Sequence, residues 1–204
     1  MKNKPMIKFV LICINFFCIV SYSQNLTISS GGEAGPNFGT NWSITGNSLI
    51  VTGTANIRAS VVINALSSGS LSIVGNSSTF NVIISESITA TGNNSLTVAS
   101  NTNTGTITAN AAVSLGGAAT FNSNAFELGS GINITTSTAS PITINANADF
   151  STNGTTRSTI SSEGGDIIIH ADKDANGSGV LDLDYLSINP GSGNIIIRGE
   201  TAAF

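Results

Sequence analysis

Residues 96–115 read LTVASNTNTGTITANAAVSL, a stretch in which short apolar segments alternate with runs of Asn, Thr, Ser and Gly. The segments contain an apolar couplet, two large apolar residues flanking a third residue, and it recurs about every ten residues. The couplet occurs at Leu49-Ile50-Val51, Leu71-Ser72-Ile73, Val82-Ile83-Ile84, Leu96-Thr97-Val98, Val113-Ser114-Leu115, Ile132-Asn133-Ile134, Ile142-Thr143-Ile144, Ile167-Ile168-Ile169, Leu186-Ser187-Ile188 and Ile195-Ile196-Ile197. Each couplet is long enough for one short strand and too short for an ordinary helix. The chain is therefore predicted to be all-β.

Strands at short, regular spacing can build a sandwich, a barrel or a solenoid. Sandwich strands usually alternate over longer stretches and are joined by identifiable hairpin turns. Here the apolar runs are short, and connectors such as Asn93-Asn94-Ser95 and Gly129-Ser130-Gly131 are alike in character. A parallel β-helix explains this spacing best. With two couplets per coil of about twenty residues, the chain would form roughly eight or nine coils.

The first 23 residues differ from the repeat. Three lysines among the first eight residues precede a mostly apolar segment, residues 9–20, and small residues follow it. This order is typical of a secretory signal peptide, and we predict cleavage before Gln24. The apolar segment is shorter than the ~20 residues that span a bilayer, although an uncleaved anchor is the alternative. The protein is accordingly expected to be secreted or held at the outer cell surface.

The remaining residues are acidic and contain no cysteine, because Cys13 and Cys18 both lie in the predicted signal peptide. Four basic residues against eleven acidic ones leave a net charge of −7. Nucleic acid is excluded as an expected partner, since phosphate binding requires clustered Lys and Arg. Eight of the eleven acidic residues lie between Asp149 and Glu200, and this asymmetry indicates divalent cations near the C-terminal end.

Each end of the predicted solenoid has its own character. Residues 24–42 are assigned to an N-terminal cap, in which Phe38 and Trp42 would cover the first coil, and residues 43–204 to the repeats. The alternative for the first segment is a surface loop with two half-buried aromatic residues. No comparable cap is visible after Ile197, so we expect the chain to be the N-terminal part of a longer protein.

One segment, residues 60–69, has two interpretations. Ser60 could cap a short helix ending at Ser67-Ser68-Gly69, whereas the β-branched Val61-Val62-Ile63 favours a strand.

Two stretches suggest a known family. Residues 42–73, with Trp42-Ser43-Ile44 and Leu49-Ile50-Val51-Thr52-Gly53, look like the opening of haemagglutinin-type, β-strand-repeat adhesin-like surface proteins of Gram-negative bacteria. Residues 164–197, from Gly164-Gly165-Asp166 to the last isoleucine triplet, resemble the repeat units of these proteins. The resemblance implies a right-handed parallel β-helix that acts in adhesion or as an extracellular scaffold.

The sharpest local motif lies between residues 172 and 184. Its oxygen-bearing residues alternate along the chain and are followed by Gly177, as in the first half of an EF-hand-type calcium loop. Leu183 occupies the position where that loop has a bidentate Glu, but an acidic residue stands on either side of it. The predicted calcium ligands are Asp172, Asp174, Asn176, Asp182 and Asp184. The alternative is a polar turn that binds no ion.

No catalytic motif stands out, and we expect a non-enzymatic protein. His170, the only histidine, could act as an acid or base beside Asp172, but a lone histidine on a strand is more often structural. A carbohydrate-active enzyme would need paired carboxylates for hydrolysis, or a base and charge-neutralising cations for elimination. The candidates are Asp182 with Asp184, or Arg198 with the acidic residues around Asp172. A binder of ice or crystalline polysaccharide would need flat ladders such as Thr106-Ile107-Thr108. The expected partners are cell surfaces, extracellular polysaccharide or other proteins.

Overall fold

The computed structural model describes residues 23–35, 41–75, 77–175 and 177–199. Most of the predicted signal peptide, together with Phe38, Asn176 and Glu200, lies outside the described residues. The described parts form one helix, Ala59–Ser68 (α1), and nineteen strands. The strands are Gln24–Ser29 (β1), Trp42–Thr45 (β2), Ser48–Val51 (β3), Ala55–Arg58 (β4), Leu71–Gly75 (β5), Phe80–Ile84 (β6), Ile88–Ala90 (β7), Leu96–Ala99 (β8), Thr106–Ala109 (β9), Val113–Leu115 (β10), Ala119–Ser123 (β11), Ala125–Gly129 (β12), Asn133–Thr136 (β13), Ile142–Ala146 (β14), Phe150–Asn153 (β15), Ser158–Ser162 (β16), Ile167–Ala171 (β17), Leu186–Asn189 (β18) and Ile195–Gly199 (β19).

The strands form three sheets that enclose one core. Sheet A has the order β15-β12-β9-β6-β1-β4, sheet B the order β19-β17-β14-β11-β8-β5-β3-β2, and sheet C the order β18-β16-β13-β10-β7. From β5 to β17 the chain visits sheets B, A and C in turn and returns to pair in parallel with its previous coil; in the last turn sheet A is represented only by an isolated bridge between Phe150 and Leu181. The fold is a parallel β-helix of about seven turns, which confirms the predicted fold class.

Each turn is longer than the sequence spacing suggested. Leu71 pairs with Leu96, and Leu96 in turn pairs with Ala119, one coil further on. The step from one coil to the next is longer still between Ile167 and Ile195. The prediction of two strands and about twenty residues per coil was wrong, because some strands, such as Thr106–Ala109 and Ser158–Ser162, contain only one large apolar residue and therefore no couplet. Val113-Ser114-Leu115 and Thr106-Ile107-Thr108, for example, belong to the same turn.

The core is filled by alternate residues of the strands, except in the last described strands, β18 and β19, and in β2, where only Trp42 is buried. Side chains of successive strand residues point to opposite faces of the sheet, so the couplet places its two apolar residues inside. In β14, Ile142 and Ile144 are fully buried while Thr143 is half-buried on the outer face. The largest fully buried side chains are aromatic and come from sheets A and B: Phe80, Phe121, Phe126 and Phe150.

The segment around Val61-Val62-Ile63, for which the sequence left helix and strand open, is a helix. Val61, Val62 and Leu66 of α1 are buried, and the Gly69 N–H donates to the Ala65 carbonyl at the helix end. The strand preference of β-branched residues is overridden here by the burial of one helix face. The predicted Ser60 cap was wrong, since the N-cap position is Arg58 and its side chain makes no capping hydrogen bond.

The helix explains an unusual strand order at the N-terminal end. An α-helix is about 10 Å across, whereas paired strands lie about 4.8 Å apart, so α1 occupies the height of two strands. Sheet A supplies the two matching levels through β4 and β1, because β1 is inserted between β4 and β6. Sheet B supplies them through β3 and the antiparallel β2. The first strand of the described chain is therefore an interior strand.

Trp42 lies at this end of the core, in the terminal strand of sheet B. Its side chain is only 2% exposed, and its indole N–H donates to Glu33 Oε2 at 2.7 Å. The Glu33 backbone N–H in turn donates to the Asn56 carbonyl of β4. The antiparallel β2, the helix and residues 31–35 together cover the first coil.

The other end of the described rod is open. Ile195 and Ile197 continue the inward-facing columns of Ile167 and Ile169, which are fully buried. Ile195 is 48% exposed and Ile197 38% exposed, because no described strand lies beyond β19.

Candidate binding surfaces

The outer face of sheet B carries a column of hydroxyl groups. Ser72, Thr97, Thr120 and Thr143 are cross-strand neighbours in consecutive coils, and all four are half-buried. Paired strands are about 4.8 Å apart, so the hydroxyls recur at that interval along the rod. Two residues further along the strands, the Asn145 amide donates to Asn122 Oδ1 at 2.9 Å. The sequence showed no fixed-period Thr array, because the coils differ in length while the strands stay in register.

Sheet C carries a second polar column. Thr89, Ser114, Thr135, Ser161 and Asn189 lie side by side in five successive strands. The Thr135 hydroxyl donates to Ser114 Oγ at 3.0 Å. A groove of about 430 Å³ runs over this column, and Glu163 is the one charged residue among its lining residues.

A loop over residues 137–140 stands beside the sheet C groove. Thr138 and Ala139 both have positive φ, 59° and 57°, a backbone conformation that residues with a Cβ rarely adopt. The loop is held by hydrogen bonds from the Thr138 and Ser140 hydroxyls to the Gly116 carbonyl, at 2.8 and 3.2 Å. The Ser162 hydroxyl also donates to the Ser140 carbonyl at 3.1 Å. These bonds from two neighbouring coils hold the loop in its strained conformation.

The predicted calcium ligands lie in the loop between β17 and β18. Asp172 is 5% exposed, and both of its carboxylate oxygens accept the Gly177 N–H, at 3.1 and 3.2 Å. Asp182 Oδ1 accepts the Asp184 N–H at 2.9 Å, whereas Asp174 is exposed. Within the described residues, no three His, Cys, Asp or Glu side chains are grouped closely enough to hold a metal ion. Calcium binding stays a prediction, and Asn176 lies outside the described residues.

Two further acidic residues have a structural role that was not predicted from the sequence. Asp149 Oδ1 accepts the backbone N–H of Val180 in the following coil at 2.8 Å. Asp166 Oδ1 accepts both the backbone and the side-chain amide of Asn194, at 2.8 and 2.9 Å. Each Asp stands directly before a strand, and this position is the sequence signal for a side-chain hydrogen bond to the backbone of the next coil. Two of the acidic residues near the C-terminal end, Asp149 and Asp166, therefore stabilise the stacking of adjacent coils.

His170 lies in the outer column of sheet B, between Asn145 and Arg198. It is 8% exposed, so its ring is largely covered. The position places it in a polar ladder on a sheet face, two residues before Asp172.

No protein-family model, no curated protein and no solved structure matches the chain. Among the described residues, no helix is long and apolar enough to cross a membrane.

Proposed function

We propose that the chain is an exported, non-enzymatic β-solenoid of an adhesin-like surface protein, which presents its polar faces to cells, extracellular polysaccharide or other proteins. The observation that supports this most is the pair of in-register polar columns on sheets B and C, because they repeat the same side-chain chemistry across several coils. Such a repeated face suits many weak contacts with an extended partner, whose combined strength exceeds that of any one contact.

The chemistry of these faces indicates how the contacts would form. The columns consist mainly of Ser, Thr and Asn, whose side chains both donate and accept hydrogen bonds. Charged side chains are scarce along them, so contact would depend little on ionic strength. Export rests on the predicted signal peptide, and β1 begins at Gln24, directly after the predicted cleavage position. The resemblance of residues 42–73 and 164–197 to haemagglutinin-type surface proteins agrees with this function.

Two measurements test the proposal. Antibody labelling of intact cells that produce the protein should detect it outside the cell, and the purified protein should be retained on cells or insoluble polysaccharide. Retention should persist when the salt concentration is raised, and heat-unfolded protein provides the control. Labelling only after cell lysis, or no retention on any surface, would contradict the proposal.

The hydroxyl column of sheet B favours a second candidate, binding to an ordered surface such as ice or crystalline polysaccharide. A regular row of Thr hydroxyls at a spacing of about 4.8 Å can match a repeating lattice. Thermal hysteresis would reveal ice binding, and Thr120→Tyr in the middle of the column should abolish it. Thr135→Tyr on sheet C is the matched control, and an equal effect of both variants would reject this candidate.

A further inference from the structure

The groove on sheet C is longer than one cavity. A second cavity of about 340 Å³ shares Thr89, Ala90 and Thr91 with it and is lined on its far side by Ile63, Leu66 and Ser67. The helix α1 therefore lies at one end of a continuous trough. Glu163 and Asn189 belong to the lining at the other end. From Thr89 to Ser161 the floor crosses three coil steps, a length of roughly 15 Å.

The lining of this trough changes in character along its length. Near α1 the half-buried side chains of Ile63 and Ala90 provide an apolar surface, with the buried Leu66 beneath them. Over β10, β13 and β16 the floor is made of hydroxyl groups. Within the described residues, Thr89 and Ser161 have no side-chain hydrogen-bond partner, so their hydroxyls are available to a ligand.

We propose that this trough binds a short stretch of a neutral polysaccharide; the inference rests on the proposed adhesin-like function and names the ligand of one of its faces. Sugar hydroxyls both donate and accept hydrogen bonds, as do the Ser and Thr side chains of the floor. The apolar end suits the C–H face of a sugar ring. Each of the two cavities falls within the roughly 300–1,000 Å³ of small-molecule sites.

Other ligand classes fit the trough less well. Sulfated or phosphorylated chains would need Lys or Arg, and the lining offers only the negative charge of Glu163. An extended peptide adds to a free strand edge, whereas the floor is the face of a sheet whose inner strands are paired on both sides. Ser137 lines the groove and begins a loop, residues 137–140, that is fixed by hydrogen bonds to two coils, so this part of the lining is in place before a ligand binds.

The test is a titration of the protein with neutral cello-, xylo-, manno- and chito-oligosaccharides, alongside anionic heparin and alginate fragments. We expect binding of at least one neutral series, with NMR shift changes centred on Thr89, Ser114, Thr135 and Ser161. Thr135→Val, which removes one hydroxyl, should weaken that binding roughly tenfold. Ser114→Tyr, which fills the trough, should abolish it.

The matched controls are Thr120→Val and Thr120→Tyr on sheet B, which should leave oligosaccharide binding unchanged. Melting temperatures identify any variant that fails to fold, and the NMR mapping stands without the variants. Binding of no neutral series, preference for the anionic fragments, or shift changes on sheet B would each overturn the proposal. Retention on cells that survives Ser114→Tyr would show that adhesion uses another face, so the two proposals can fail separately.

Discussion

The ring planes of Phe126 and Phe150 are inclined by only 3°, and their centroids lie 5.8 Å apart. The two residues are register partners in adjacent coils, and both are fully buried. Phe121 packs against Phe126 from sheet B, with centroids 5.2 Å apart and planes at 59°. Phe126 thus joins two walls of the core and two successive coils.

We expect Phe126→Ala to lower the free energy of unfolding by about 3–5 kcal/mol, because it removes a buried ring and leaves a cavity. Phe126→Leu should cost less, since it refills part of that space. Denaturant unfolding followed by circular dichroism measures both. Tyr185→Ala, at a side chain 55% exposed, should change stability by less than about 0.5 kcal/mol. An effect of Phe126→Ala no larger than this control would show that the ring stack contributes little.

The insertion of β1 between β4 and β6 makes its inward face indispensable to the N-terminal end. Leu26 is fully buried, and its neighbour Thr27 points outward. Leu26→Asp places an unpaired charge in the core, so we expect hydrogen-exchange protection to be lost in β4 and α1. Coils from β14 onward should stay protected, because each solenoid coil contacts only its neighbours. Thr27→Asp should retain hydrogen-exchange protection in all coils. Equal loss of protection in both variants would argue against the interior position of β1 and the inward position of Leu26.

Gly165 lies where a neighbouring coil approaches closely. A Cβ at this position would stand 2.3 Å from both the carbonyl carbon and the carbonyl oxygen of Ser140, which are backbone atoms that cannot turn away. We expect Gly165→Ala to destabilise the fold by about 1–3 kcal/mol through overpacking. Gly31→Ala is the control, since nothing lies within 4 Å of its added methyl group. Thermal melting compares the two, and equal melting temperatures would refute the close approach.

The predicted calcium loop is tested by calorimetric titration with CaCl₂, using MgCl₂ as the control ion. If Asp172, Asp174 and their neighbours bind calcium weakly, the ion should release heat and raise the melting temperature. Asp174→Asn, at an exposed position, should reduce both effects without altering the Asp172–Gly177 hydrogen bonds. Titration without heat and an unchanged melting temperature would dismiss the site.

The apolar couplets of the sequence predicted ten of the nineteen described strands, because side-chain alternation is a local property of the β backbone. Ile142-Thr143-Ile144 could be assigned without knowledge of any partner strand. The number of strands per turn could not be obtained in this way. Connectors of Asn, Ser and Gly look alike whether they bend the chain between two sheets or complete a coil. The sequence therefore did not show that Thr106-Ile107-Thr108 forms a strand in a further sheet of the same coil.

The sequence predicted polar outer surfaces but not the columns in which their side chains line up. Composition indicated outward Ser, Thr and Asn, but unequal coil lengths hid the column from Ser72 to Thr143 and the column from Thr89 to Asn189. The trough is lined by residues of α1 and by Ser137, which are far from each other in sequence. Its hydroxyls are brought together by coil stacking alone.

By itself, the sequence determined that this chain is a stack of short strands with a polar exterior, because couplet spacing and side-chain alternation act within a few residues. Only the tertiary structure decided that Leu26 pairs with Val82, which is distant from it in sequence, and that Val61-Val62-Ile63 is helical. Both outcomes are linked by one packing requirement. A helix is about as thick as two paired strands, so sheets A and B must each supply two strands beside α1, and β1 is one of the two in sheet A.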